Sequence, residues 1–143
     1  MPERGSWLRV RAAGMDLLLP TLDLREVVPL PVVSPIPGRS RGLRGVAVYQ
    51  GEFLPVLRWA DLPGVPPSSG RPTTLAVLRL RFGLPLEAVI GMIEVPADAW
   101  EPLADDDPAI AWAGAMCRLG LTSLHRVDPD RLLALLRRMK VER

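Results

Sequence analysis

Between Pro37 and Leu62 the chain reads PGRSRGLRGVAVYQGEFLPVLRWADL, and this stretch leaves few conformations open. A glycine-punctuated turn feeds an apolar run, Gln50-Gly51-Glu52 reverses it, and a second apolar run returns through Pro55 to Trp59. Two apolar runs around so short a turn form a β-hairpin. Val46 and Val48 alternate with Ala47 and Tyr49, the period of a strand with two different faces. Phe53 to Leu57 is nearly continuous and is expected to be buried on both sides. Nothing in the hairpin assembles a catalytic or metal-binding set.

The same logic extends toward the N-terminus. In Trp7 to Ala12, Leu8, Val10 and Ala12 share one face and Arg9 and Arg11 the other, which predicts a strand with one side in water. Gly14 supplies a turn, Met15 to Leu19 returns as a strand, and Pro20 stops it for want of an amide hydrogen. Thr21 to Val27 is expected to form a short helical turn capped by Thr21, with Asp23 and Glu26 in water and Leu22 and Val27 packed. Prolines at 29, 31, 35 and 37 then exclude a central strand from Val28 to Pro37, leaving an edge or a loop. Gly38, Gly42 and Gly45 bracket Arg39, Arg41 and Arg44. No P-loop order accompanies them, so they read as a solvated turn, with an anion site as the alternative.

After one helical turn at Ala60 to Leu62, the stretch GVPPSSGRP at 64–72 marks a loop between two halves. Thr73 to Phe82 predicts a strand that Gly83 turns. Leu84 to Val95 predicts another, interrupted at Glu87 and with Gly91 signalling a bulge or a close backbone approach. Asp105, Asp106 and Asp107 lack EF-hand spacing and read as a solvated acidic loop. Trp112 to Leu124 gives one or two short strands. His125, the one histidine, has no nucleophile beside it and reads as a surface or core-edge imidazole. The final element is a helix over 128–140: Asp128 is the N-cap, Pro129 the first helical residue, Asp130 lies in the first turn, and Arg137, Arg138 and Lys140 gather at the far end. Leu132, Leu133, Leu136 and Met139 form its apolar stripe, expected to pack on its own domain.

Composition narrows the function. The chain has 143 residues, 18 basic against 16 acidic, and its arginines are scattered along strands, so the charge is a solvated face more than a nucleic-acid stripe. The single cysteine, Cys117, excludes an internal disulfide and reads as a buried inert thiol. No signal-peptide core and no membrane-length apolar stretch are present, from which a reduced, cytoplasmic protein with no membrane insertion is expected. Without paired carboxylates, a nucleophile with its base, a metal set or a nucleotide fingerprint, neither an enzyme nor a cofactor is expected.

Gly45, Val46, Gly51, Pro55 and Val56, in the order Gly-Val-x-x-x-x-Gly-x-x-x-Pro-Val, resemble the signature of the CheW-like domain, the adaptor that links chemoreceptors to a histidine kinase. Pro35 and Pro37 before that run and Asp128 to Leu133 after it fit the same family, and the resemblance covers Leu8 to Leu136. It implies a mainly β fold of two intertwined SH3-like five-stranded barrels with a short C-terminal helix, as one domain over 1–143. Subdomain 1 would span about 7–62, the linker 63–72 and subdomain 2 about 73–127. It also implies a scaffold whose partners are a methyl-accepting chemoreceptor, a CheA-type histidine kinase and, further, other CheW-like proteins. Leu24, Glu26, Val27, Gly45 and Val46 would face the kinase. Leu43, Gln50, Val89 and Ile90 would line a groove between the barrels for the receptor, and Gly45→Asp or Val89→Glu would abolish binding while leaving a cooperative thermal transition.

The chain departs from the family pattern at three places. Gln50 stands where the family turn carries arginine, Arg58 and Trp59 where it carries Asp-Leu, and Gly91 where it carries an acid. Such changes alter a charge-assisted contact more than a fold. Two alternatives to the adaptor reading follow: a divergent paralogue that binds receptors or other adaptors without productive kinase contact, and an SH3-like nucleic-acid-binding barrel, which steep salt dependence of oligonucleotide binding would reveal.

Overall fold

Alternating side chains build the first hairpin. In β1 (Gly5–Ala12) Leu8, Val10 and Ala12 are buried, and β2 (Met15–Pro20) returns after a turn in which Ala13 and Gly14 take φ values of 51° and 73°. The computed structural model describes residues 5–37 and 41–141, without the side chains of Lys140 and Val141. Gly38 and Arg39 of the glycine-arginine turn therefore lie outside the described residues.

Among the described residues eight more strands and one α-helix follow. They are β3 (Leu24–Pro29), β4 (Leu43–Tyr49), β5 (Glu52–Leu57), β6 (Thr74–Leu78), β7 (Gly83–Leu86), β8 (Ala88–Val95), β9 (Ala113–Leu119), β10 (Thr122–Val127) and α1 (Pro129–Val141). Two five-stranded sheets result, ordered β8-β1-β2-β10-β9 (sheet A) and β3-β6-β7-β5-β4 (sheet B). Both follow one plan. An outer strand (β8 or β3) flanks a hairpin (β1-β2 or β6-β7), which meets a second hairpin (β9-β10 or β4-β5) across a parallel seam, β2 to β10 or β7 to β5.

Along the chain sheet B runs outer strand, hairpin, hairpin. Sheet A runs in the same cyclic order, but its last hairpin comes from the chain's start. The irregularities repeat too. Arg25 and Ile90 are the unpaired bulge residues of the two outer strands, and Arg44 and Gly114 those of β4 and β9. Neither sheet is a continuously hydrogen-bonded barrel. Each is closed by a strap: Ser34, after β3, exchanges two backbone hydrogen bonds with Val46 of β4, and Glu101, after β8, exchanges two with Met116 of β9. Beside each strap a neighbouring residue anchors it, Val33 on the core of sheet B and Trp100 edge-on against Trp7 at 4.9 Å.

The period of two within a strand decides where each leucine goes. Leu17 and Leu19 of β2 enter a core shared by both sheets, with Leu57, Leu84 and Leu86 from sheet B and Leu132, Leu135 and Met139 from α1. Leu18, between them, enters a smaller core inside sheet A with Trp7, Cys117 and Leu124. Ala47, Leu54, Val56 and Val77 form its counterpart inside sheet B. Trp59 and Trp112 cross at 71° in the shared core, and each indole N–H donates to a proline carbonyl, Pro85 and Pro63 respectively. Burial raises the pKa of the Cys117 thiol, with the Glu101 charge adding to it and Arg9 opposing it, so the thiol stays protonated and unreactive.

Several expectations change. Thr21–Asp23 is a 3-10 turn, but Thr21 does not cap it; its hydroxyl donates to the Ser6 carbonyl at 2.9 Å. Leu24 to Val27 are strand, because pairing with β6 from Leu24–Leu78 to Pro29–Thr74 satisfies backbone groups that a short helix would leave open. The strand at Thr73 ends at Leu78, and the turn is made by Arg81, with φ 64°, ahead of Gly83. Leu84 to Val95 is two strands in different sheets, divided at Glu87. Phe53 is 79% exposed, since it lies across from Val48 on the outer face. The sheets also cut across the expected division at 63–72: that loop joins β5 to β6 within sheet B, and the chain changes sheet at Thr21–Asp23 and at Glu87. Loop composition reports flexibility, whereas pairing is settled by which edges meet.

The helix begins as expected. Asp128 Oδ1 accepts from the amides of Asp130 and Arg131 at 3.1 and 3.2 Å. Asp23 stands close enough for its carboxyl pKa to rise above the ordinary 3.8, through burial first and then the charges of Asp130 and Asp128, with Arg79 opposing. A raised carboxylate pKa means that the ionised form costs stability above that range and nothing once both states are protonated. Asp23→Asn is therefore expected to raise the melting midpoint at pH 7, with the advantage shrinking as pH falls through the carboxylate range. Leu84→Ala, at a fully buried site, should cost about 2–5 kcal/mol in denaturant unfolding. Leu22→Ala, at an exposed site, should stay within about 0.5 kcal/mol.

Candidate partner-binding site

Exposed apolar side chains collect on the rims of the sheets. Val48 and Phe53 face each other across the β4-β5 hairpin at 62% and 79% exposure, and Val27 is exposed on β3. On β8, Val89, Ile90 and Met92 are 43%, 49% and 56% exposed. Among the described residues, no group of three His, Cys, Asp or Glu side chains is placed to hold a metal, and no helix is long and apolar enough to cross a membrane.

A polar network joins β3 to the tip of the β4-β5 hairpin. The tip is a two-residue turn with Gln50 at φ 48° and Gly51 at φ 77°, the mirror-image geometry that matches strand twist. Arg25 Nη2 donates to Gln50 Oε1 at 2.8 Å, and its guanidinium lies 5.6 Å from the centre of the Tyr49 ring. The Tyr49 hydroxyl in turn donates to Glu26 Oε1. That hydrogen bond, then desolvation and the Glu26 charge, push the phenol pKa above its ordinary 10.0, while Arg25 pulls the other way.

The nine residues expected to meet partners fall into separate places. Leu24, Glu26 and Val27 share β3, and Leu43, Gly45 and Val46 share β4, at the other side of sheet B's hydrogen-bond order. The Ser34 strap and the Arg25–Gln50 and Glu26–Tyr49 contacts bring these two strands together. Gln50 thus belongs with Glu26. Val89 and Ile90 stand apart on β8 of sheet A. A cavity of about 170 Å³ lies where Ala13 of the first turn meets Trp59, Pro85 and Glu87, and none of Leu43, Gln50, Val89 or Ile90 lines it.

Gly45 has a structural duty that position alone did not show. It is buried, and a Cβ there would stand 2.2 Å from the Ser34 carbonyl oxygen. Gly45→Asp is therefore not a test of binding with the fold left intact, because it evicts the strap. Val46 makes the strap's two backbone hydrogen bonds, and its side chain is half-buried.

Sequence reasoning missed Arg25. Gln50 stands where the family turn carries arginine, yet a guanidinium is present there, reaching over from the bulge of β3. Arg58, the reversed charge, points to Asp61 at 3.7 Å, and Asp61 also accepts from the Gly42 amide at 2.8 Å. Gly91 has open space around its Cβ position, so it marks the bulge at Ile90 and not a close approach.

Two five-stranded sheets on one plan, each closed by a strap, share a core with the terminal helix and leave apolar side chains on their rims. The model of the CheW-like domain matches residues 6–137, and the chain belongs to that family. Among solved structures, the crystal structure of the scaffolding protein TtCheW from Thermoanaerobacter tengcongensis superimposes with a TM-score of 0.76. It shares 18% identity, over 90% of this chain and 86% of that one, a likeness of fold. No curated protein matches the chain.

Gly45→Ala is expected to cost more than about 1 kcal/mol by displacing Ser34, read as a lowered denaturation midpoint. Tyr49 is the one tyrosine, so its ionisation is readable by ultraviolet difference absorbance. It should titrate above the ordinary value, and Glu26→Gln should bring it down by removing the carboxylate that holds the phenol's proton.

Proposed function

We propose that this protein is a non-catalytic adaptor of a chemosensory array, linking the cytoplasmic tips of methyl-accepting chemoreceptors to a CheA-type histidine kinase. The observation that carries the reading is the family match over residues 6–137. Leu24, Glu26, Val27 and Val46, joined by Gln50 through Arg25, form the kinase side on sheet B. Val89 and Ile90, with Leu43 at the start of β4, form the receptor side. The two sets lie mainly on different sheets, so one chain has room to hold two partners at once. Its contribution is geometric: a rigid shared core fixes the angle between two docking surfaces.

A second reading, a paralogue that binds receptors or other adaptors without productive kinase contact, is favoured by Arg58, the exposed reversed charge, which is paired within the chain to Asp61. Purified chain should retain both the receptor's cytoplasmic fragment and the kinase from the same genome. Val89→Glu should release the receptor and Val27→Glu the kinase, each with the thermal midpoint unchanged, since both side chains are exposed. Retention of the receptor alone selects the second reading, and retention of neither rejects both.

A further inference from the structure

We propose that Arg25 is the side chain with which sheet B grips its protein partner, by presenting a pre-positioned guanidinium to a carboxylate on that partner. This rests on the adaptor reading and names the chemistry of one of its two docking surfaces.

Four observations on the molecule converge here. First, Arg25 is the bulge residue of β3, left out of the ladder between the Leu24–Leu78 and Glu26–Val77 pairs. A bulge re-aims a side chain, and here it leans over the hairpin tip. Second, the guanidinium is held on two sides, by Gln50 Oε1 at 2.8 Å and by the Tyr49 ring at 5.6 Å. Holding an arginine before the partner arrives removes part of the ordering cost of binding.

Third, its charge is unspent. Arg25 makes no ion pair with a carboxylate among the described residues; the adjacent Glu26 is taken by the Tyr49 hydroxyl, and Glu52, across the turn, pairs with Arg81 at 3.6 Å. A guanidinium has five N–H donors in a planar fork, and Gln50 occupies one edge, leaving the fork free to take a carboxylate with two hydrogen bonds. Fourth, the exposed apolar pair Val48 and Phe53 stands on the same hairpin, and a cation rimming an apolar patch has the make-up of an interface hot spot. The occupant that fits is a protein surface bearing an aspartate or glutamate beside an apolar side chain.

The test uses the full chain with two probes, the CheA-type kinase and the receptor cytoplasmic fragment from the same genome, in titration calorimetry at several salt concentrations. Arg25→Ala should weaken binding of the kinase by about tenfold or more, flatten its salt dependence, leave receptor binding within about twofold and leave the melting midpoint in place. Arg25→Lys should recover only part of the loss, because a point charge lacks the fork and the stacking. Gln50→Ala should weaken binding by less than Arg25→Ala does, since it releases the guanidinium without removing it. Kinase binding by Arg25→Ala within about twofold of wild type overturns the inference while leaving the adaptor reading intact. A loss that tracks a lowered melting midpoint, and is fully restored by lysine, also overturns it, by showing that Arg25 only closes the sheet. Wild-type protein that binds neither probe removes the adaptor reading and this inference together.

Discussion

Strand β2 carries the constraint on which everything else rests: Leu17, Leu18 and Leu19 stand in a row. Leu17 and Leu19 face the other sheet while Leu18 faces the inside of its own, and all three are fully buried. A strand with apolar groups on both faces cannot lie at a surface. It must be sandwiched, and the core that Leu17 and Leu19 enter is completed by side chains of the second sheet and of α1. Tryptophans 59 and 112, crossed in that shared core with both indole hydrogens satisfied, lock the two sheets into one body.

That sandwich explains why the chain is threaded as it is. The first hairpin completes the sheet that the last strands begin, so no cut at a single loop separates two halves, and the proline-serine loop proves to be a connection inside one sheet. Repetition of strap, bulge and seam in both sheets shows the same solution reached twice. With the inner faces committed to cores, the outer strands and the hairpin tip carry exposed side chains, and it is there that the bulges at Arg25 and Ile90 put side chains outside the ladder.

Local chemistry made some of this legible. The turn read at Gln50-Gly51-Glu52, which Gln50 and Gly51 form with Glu52 already in β5, and the Asp128-Pro129 helix start are settled by residues within a few positions of each other. β3 was misread because its state depends on β6, fifty residues away, while Thr21 and the acids near it mimic a helix start. The break at Glu87 was visible as an interruption but not as a change of sheet, because apolar residues continue past it from the buried β7 into the largely exposed β8. Resemblance pointed to residues 24, 26 and 27 and passed over Arg25, whose contacts arise only when β3 and the hairpin tip meet. Gly45 was legible as a glycine that mattered, and its reason, the Ser34 carbonyl, needed the fold.

If the rims are the working surfaces and the shared core is the frame, each partner should shield one rim and leave the frame as it was. Hydrogen exchange on the chain alone and in each complex measures this directly. The account predicts slowed exchange over 24–29 and 46–52 with the kinase, over 88–93 with the receptor fragment, and no change in β2 or β7. Shielding centred on β2 and β7, or the same footprint from both partners, would contradict it.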